Sequence, residues 1–302
     1  MTTPQTTTNP IHRNRAHFSM AERTGLLAFA AAILLGAVDL RLATVPLSLF
    51  LMLCAIAPFL PEAGFFFPVI SHGNTGKAAV ALTFDDGPDP ATTPLLLDLL
   101  AEQQVPATFF VTGRRATQYP RLIQQIVSRG HTVGNHSFHH NRYRMFWQSA
   151  LLHREIADTQ ATLSRLGIVP LAFRPPVGIT SPSMDKVLTA NGLYVVNFSC
   201  RAFDRGNRRI GHLAEKILAK VRPDDIVLMH DSDAGSPKRV RQWIREVERI
   251  LAGLSKKGLT AVPLAHLTGR PVMQRDSAPL PKGQDDIGPK NHQGTHPSGR
   301  PQ

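Results

Sequence analysis

The stretch KAAVALTFDDGPDP, residues 77–90, decides how the rest of the chain is read. An apolar run broken only by Thr83 leads into two adjacent aspartates, Asp85 and Asp86, and then into Gly-Pro. A short continuous apolar run bounded by turn residues reads as a strand buried on both faces. Such strands belong to parallel sheets covered by helices. Neighbouring carboxylates repel, so something near the end of this strand must supply positive charge.

Outward from that strand the same texture repeats. PATFFVTG (106–113), HTVGNH (131–136), LAFRPP (171–176), LYVVNFS (193–199), DIVLMH (225–230) and LTAVPL (259–264) are apolar or β-branched runs. Helical patterns separate them, at 92–104, 119–129, about 146–166 closing at Gly167, 181–190, 212–221 and 238–257. Strand and helix alternate throughout, which predicts an α/β fold with about seven parallel strands, closed toward a barrel rather than left as a small open sheet.

The two ends differ from this core. Residues 1–23 are polar and basic, with Arg13, Arg15 and Arg23, and read as a disordered lead. Residues 24–61 hold two charge-free apolar runs, 24–38 and 42–61, interrupted by Asp39 and Arg41. They predict one transmembrane span or a tight hairpin of two. A cleaved signal peptide is disfavoured by the long lead and the lack of an A-x-A site. Basic residues before the apolar region keep the N-terminus cytoplasmic. One span then puts the main domain outside a bacterial inner membrane, in the periplasm, and two spans return it to the cytoplasm. Residues 62–77 read as a linker, 78–268 as the main α/β domain and 269–302 as a disordered Pro/Gly-rich tail.

Composition narrows the partners. The net charge of +12 fits a basic solvated surface or affinity for an anionic membrane or envelope. No basic stripe interleaved with aromatics points to nucleic acid. The two cysteines, Cys54 and Cys200, are far apart and outside any C-x-x-C pair, so neither a disulfide framework nor a thiolate metal site is expected. The oligomeric state is not legible.

Ionisable residues collect at the predicted strand ends: Asp85 and Asp86, His136 and His140, Arg174, Asp204 and His230. In α/β barrels that is where chemistry sits. His136 and His140 are four apart, so on a helical turn both rings share a face. With one aspartate they make a His₂Asp set with open positions, suited to zinc and also to ferrous iron or another divalent cation. His131 and His139 read as supporting or surface residues. One aspartate can bind the metal while the other takes a proton from water. Arg174 can keep that base ionised. His230, ending an apolar strand, suits a general acid if an aspartate raises its pKa. Asp204 is the candidate for that role. Asp231 and Asp233 are rivals expected to face solvent. Asp89 reads as a turn or cap residue.

TFDDGP, HSFHH, FRPPVG, FSCRAFD and IVLMH, in that order, resemble the five motifs of the polysaccharide deacetylases, the NodB-homology or carbohydrate esterase family 4 domain. The resemblance spans roughly residues 78–268. It implies a distorted, incomplete (β/α) barrel and a divalent metal, most often zinc. It also implies removal of acetyl groups from polymers containing N-acetylglucosamine, or O-acetyl groups from xylan. By position it assigns Asp85 as base, Asp86, His136 and His140 as metal ligands, and Arg174 as the tether of the base. His230 becomes the acid, held by Asp204. The Val177 amide becomes an oxyanion donor and Leu228 a wall of the acetyl-methyl pocket. Three places depart from the pattern: Val177 replaces an aromatic residue, Phe198 and Arg205 replace tryptophans, and Arg201 stands where some members carry an acid. The substrate is therefore not carried over. An O-acetyl esterase, a ferrous oxygenase and a non-catalytic membrane-anchored glycan-binding protein are the rival readings. The oxygenase leaves Asp85 and His230 without work, and the binding protein leaves the whole set without work.

Overall fold

A computed structural model describes residues 18–141, 148–204, 206–232 and 235–276 of the chain. Helices α1 (Met20–Gly36) and α2 (Thr44–Ile56) come first, followed by a short 3₁₀ turn at Ala57–Phe59. Then come β1 (Val69–Ile70), β2 (Ala79–Asp85), α3 (Thr93–Glu102), β3 (Ala107–Val111), α4 (Gly113–Gln118), α5 (Pro120–Ser128) and β4 (Thr132–Asn135). After these lie α6 (Ser149–Ser164), β5 (Ile168–Pro170), β6 (Ala172–Phe173), α7 (Met184–Ala190), β7 (Tyr194–Val196) and β8 (Cys200–Arg201). The chain continues through α8 (Leu213–Leu218), β9 (Ile226–His230), α9 (Pro237–Lys256), β10 (Thr260–Ala261), α10 (Leu264–Thr268) and β11 (Met273–Arg275).

Nine strands form one sheet in the order β1-β7-β6-β4-β3-β2-β9-β8, with β10 also on β2. Its strand pairings among the described residues are parallel. The path ends at β1 and β8 without joining them, so the curled sheet is an incomplete barrel, as expected. Two strands exceed the expected seven, and β5 and β11 form a separate antiparallel pair. The missed strands are two or three residues long, too short to show a period. β1 lies inside the stretch read as a linker, and β11 inside the stretch read as a tail. The rest of that tail, from 277 on, and residues 1–17 of the lead lie outside the described residues.

The alternation of β2 explains how a fully buried strand carries a site. Val80, Leu82 and Phe84 point to the outer layer, where they meet Leu96, Phe109, Ile123 and Trp243. Ala79 and Ala81 point to the inner side, in the cluster of Phe110, Val196, Phe198 and Leu228. Strand periodicity puts Thr83 and Asp85 on that same inner face. Helix α9 seats Val240, Trp243, Val247, Ile250 and Leu254 against the outer layer. Those residues recur at three- and four-residue spacing, one face of a helix. Trp243 is fully buried, and Trp243→Ala should cost about 3–5 kcal/mol.

The N-terminal apolar region corrects an expectation. Helix α2 stops at Ile56, because Pro58 has no N–H to continue the ladder and the chain tightens into a 3₁₀ turn. Thirteen residues make α2 about 20 Å long and seventeen make α1 about 25 Å, against a hydrocarbon core of about 30 Å. Among the described residues no helix is long and apolar enough to cross a membrane. The two helices instead form an antiparallel hairpin. Gly25 lies under the Phe50 ring and Gly36 faces Ala43. Ser19 and Glu22 close a reciprocal capping box at the start of α1.

Candidate active site

Register delivers the site. Asp85, the last residue of β2, is opposite Phe110 of β3 and His230 of β9. Asn135, the last residue of β4, is opposite Phe173 of β6, so His136 and Arg174 follow side by side. Four strand ends thus meet at one rim of the sheet.

Asp85 and Asp86 point into different surroundings. Asp85 is buried, and its Oδ1 accepts from Arg174 Nη1 at 2.8 Å. Arg174 is wholly buried, and every nitrogen of its fork is used. Nη1 also donates to Thr83 Oγ1 at 2.7 Å, Nε to the Val196 carbonyl at 3.1 Å and Nη2 to the Asn197 carbonyl at 2.9 Å. Its guanidinium lies 4.1 Å from the Phe110 ring centre. Burial lowers the pKa of Arg174 and the Asp85 charge opposes that shift. The paired charges hold each other in place, and removing one leaves a buried, uncompensated ion.

Asp86 has left-handed backbone, φ 72, which swings its side chain away from that of Asp85. Its Oδ1 lies 3.5 Å from His136 Nε2 and 3.3 Å from His140 Nε2. Burial works to raise the Asp86 pKa. The close approach of the His136 ring and the charges of His230, His140 and His136 outweigh it and pull the carboxyl below its ordinary range. His140 is drawn down to about 4, first by burial and then by His136.

These three residues fit a divalent cation. Their ligand atoms all lie within 4.8 Å of one another. His136 Nδ1 donates to the Arg174 carbonyl at 2.8 Å, which leaves Nε2 as a bare acceptor facing Asp86. Asp86 Oδ1 is buried and receives no hydrogen bond. Convergent acceptors without a donor between them are what a metal satisfies.

The His pair is not on a helical turn. Residues 136–140 form a loop in which Ser137 (φ 64) and His140 (φ 58) are left-handed. Glu155 from α6 holds that loop, accepting from the N–H groups of Phe138 at 2.9 Å and His139 at 2.6 Å. His139 pairs with the same carboxylate through its ring, and His131 packs beneath β3, where its Nδ1 accepts from Ala107 N–H. Both are supporting residues. Glu155 itself escapes sequence reading, because a lone acid on a helix carries no signal of what it caps.

His230 faces the Asp86–His136–His140 cluster from β9. Its Nδ1 lies 2.9 Å from Asp204 Oδ2 and 2.8 Å from Oδ1. Burial disfavours the charged ring, but the hydrogen bond and charge of Asp204, then the charges of Asp86 and Asp85, raise its pKa to about 9.

Asp231 overturns its expectation. It does not face solvent: it is wholly buried and accepts from the Thr92 and Thr93 hydroxyls at 2.6 Å each. Its N–H donates to the Asp85 carbonyl at 2.8 Å. Burial pushes its carboxyl up to about 7. Gly87 fits only because it lacks a Cβ, which would stand 2.7 Å from Asp231 Oδ2. Asp231 therefore fastens the turn after β2 and does not touch His230's ring. Asp233 and Arg205 lie outside the described residues. Asp89 is the expected turn residue: its Oδ1 accepts from Ala91 N–H and its Oδ2 binds Arg115 at 2.7 Å.

Val177 is left-handed at φ 55, a strained state for a β-branched residue, and its side chain is half-exposed. Leu228 is buried in the inner cluster beside Phe198. Phe198 lies between two cations, 5.8 Å from Arg174 and 5.1 Å from Arg201, and Arg201 also stacks at 4.1 Å on the exposed Phe203 ring.

A half-barrel carries at its strand ends a histidine–aspartate cluster that could hold a cation, beside a separate buried Asp85–Arg174 pair. Comparison with known proteins gives the family. A family profile described as polysaccharide deacetylase matches residues 72–196. A peptidoglycan-N-acetylglucosamine deacetylase of Bacillus cereus is 33% identical over 190 residues, 62% of this chain and 87% of the relative. A chitooligosaccharide deacetylase of Sinorhizobium fredii is 38% identical over 168 residues, 54% of this chain and 76% of the relative. The crystal structure of the Bc1960 peptidoglycan N-acetylglucosamine deacetylase covers 68% of this chain and 94% of its own, with 29% identity and a TM-score of 0.61. The chain belongs to the polysaccharide deacetylase family.

Proposed function

We propose that this protein is a divalent-metal-dependent hydrolase that removes N-acetyl groups from a glycan containing N-acetylhexosamine. The observation that carries the reading is the division of Asp85 from Asp86: one faces an arginine, the other two imidazoles. A single-purpose acidic site would not need two opposed surroundings. The names of the relatives, which act on peptidoglycan N-acetylglucosamine or chitooligosaccharides, support the same substrate class.

Asp86, His136 and His140 would hold the cation, which when bound polarises an acetyl carbonyl and acidifies water; zinc suits the donor set. The chain's own groups do the rest. Asp85, aimed by Arg174, takes the proton of the attacking water. The Val177 N–H donates to the oxygen that gains charge at the acetyl carbon. Leu228 contributes to the apolar floor against which a methyl group can rest. His230, its pKa raised against the opposing effect of burial by the hydrogen bond and charge of Asp204, gives its proton to the departing amine, and Asp204 keeps its Nδ1–H turned away from the substrate. The products are acetate and a free amino sugar.

Amide hydrolysis needs that acid more than ester hydrolysis does, because an amine leaves only when protonated. The His230–Asp204 pair, placed to supply that proton, therefore favours N- over O-deacetylation. Acetate release from N-acetylchitooligosaccharides and from acetylated xylan, with and without added zinc, tests the reading. Zinc-dependent release from the first is expected. Release from xylan alone would move the assignment to an esterase.

A further inference from the structure

The α1–α2 hairpin has no part in the site, yet it carries most of the exposed large hydrophobic side chains among the described residues. Among the exposed large hydrophobic side chains of the described residues, only Leu95, Val177 and Phe203 lie outside residues 18–60. Helix α2 buries no residue and α1 buries only Ala32. The exposure is not a stripe. Ile33, Leu34 and Leu35 are exposed in succession, as are Leu51, Met52 and Leu53. Successive helical residues point about 100° apart, so these triplets look in every outward direction. A protein groove covers one face of a helix; a helix pair that is apolar all round calls for a continuous apolar medium. The charges lie at the ends, with Glu22 and Arg23 at the base and Asp39 and Arg41 at the tip. The sequence before it holds Arg13 and Arg15 and no acid up to Glu22, which complements anionic headgroups.

The hairpin is fastened to the site. Ala21 N–H donates to the Phe65 carbonyl at 2.8 Å, and Thr180 N–H to the Pro58 carbonyl at 3.1 Å. Asn197 Nδ2 donates to the carbonyls of Pro61 at 2.8 Å and Gly178 at 3.2 Å, while the Asn197 carbonyl accepts from Arg174. One residue thus clamps the end of the hairpin, the loop bearing Val177 and the arginine that aims Asp85. Whatever surface holds the hairpin is held at a fixed attitude to the mouth of the site.

We propose that the hairpin seats, from one side, in a lipid bilayer with anionic headgroups, and that the site therefore works on acetylated glycan carried at that surface. The first half stands on the hairpin alone; the second rests on the deacetylase reading. The experiment uses the full chain and vesicles of phosphatidylcholine with phosphatidylglycerol. The wild type should float with the vesicles, and the triple variant Leu27→Glu/Leu34→Glu/Leu51→Glu should stay at the bottom of the gradient. All three side chains are exposed, so both proteins should release acetate equally from soluble N-acetylchitooligosaccharide. When that oligomer is displayed on the vesicles through a lipid tether, the wild type should gain about tenfold or more in rate and the variant nothing. Wild type left at the bottom, or a variant that floats equally well, overturns the lipid seat; a stable dimer that ignores vesicles overturns it in favour of a second copy. Flotation without any rate gain on tethered glycan overturns the substrate half. Flotation with no acetate release from any glycan keeps the lipid seat and defeats the deacetylase reading instead.

Discussion

The rim of the sheet and the hairpin solve opposite problems. At the rim, polar groups are buried and every orientation is fixed by a partner: Arg174 by four acceptors, His136 by a carbonyl, the His loop by Glu155, the Gly87 turn by Asp231. Backbone strain gathers there too, with Asp86, Ser137, His140 and Val177 all left-handed. In the hairpin, apolar groups are exposed and the backbone is regular. Strain and polar burial are tolerated where a tight packing frame outweighs them. The hairpin has only itself and its base to lean on. Chemistry should be sensitive to any change at the rim and indifferent to changes along the hairpin.

The largest effect should come from the metal cluster. Asp86→Ala or His136→Ala should abolish metal retention, measured by elemental analysis after gel filtration, and lower acetate release by about 10³-fold or more. Unaltered metal content in both would break the assignment of the cluster. Next comes Arg174→Met, which leaves Asp85 buried without its counter-charge. It should lose about 3–5 kcal/mol of stability by denaturant titration, as removing one member of a buried pair does. A loss under about 1 kcal/mol, the range of exposed pairs, would show the tether to be dispensable.

A milder effect is one of pH. His230 acts in its protonated form, so activity should be present below its pKa and fall as pH rises through it, at or below about 9, since a bound cation would pull the value down. Asp204→Asn removes the group that raises that pKa, and the alkaline limb of kcat should move to lower pH. An unmoved limb would detach His230 from Asp204 in function. The smallest effect is expected of Leu34→Glu in the hairpin, which should leave kcat and KM on soluble chitooligosaccharide unchanged. A clear fall there would mean that the hairpin shapes the site and does not merely carry it.

Legibility in the sequence follows the same division. The long strands β2, β3, β4 and β9 were readable because they are continuous apolar runs, and the residues at their ends because ionisable groups are costly there without a purpose. β1, β5, β8 and β11 were not, because two or three residues carry no period and their partners are distant in sequence. Glu155, Asp231 and Asn197 were invisible for a related reason: each works by holding another segment's backbone, and only the fold says which. The four-residue spacing of His136 and His140 suggests a helical turn, but spacing alone does not show that Ser137 is left-handed. The apolar run 42–61 has the length of a span in sequence, but Pro58 sits inside it and ends the helix before it reaches that length.

The central claim is that Asp85 and Asp86, neighbours in the chain, do separate work. Asp85→Asn tests it most directly, with metal content and turnover measured on the same preparation. The account predicts full metal occupancy and a fall in kcat of about 10²–10⁴-fold, the loss of a general base. Undiminished turnover, or loss of the metal along with activity, would contradict it.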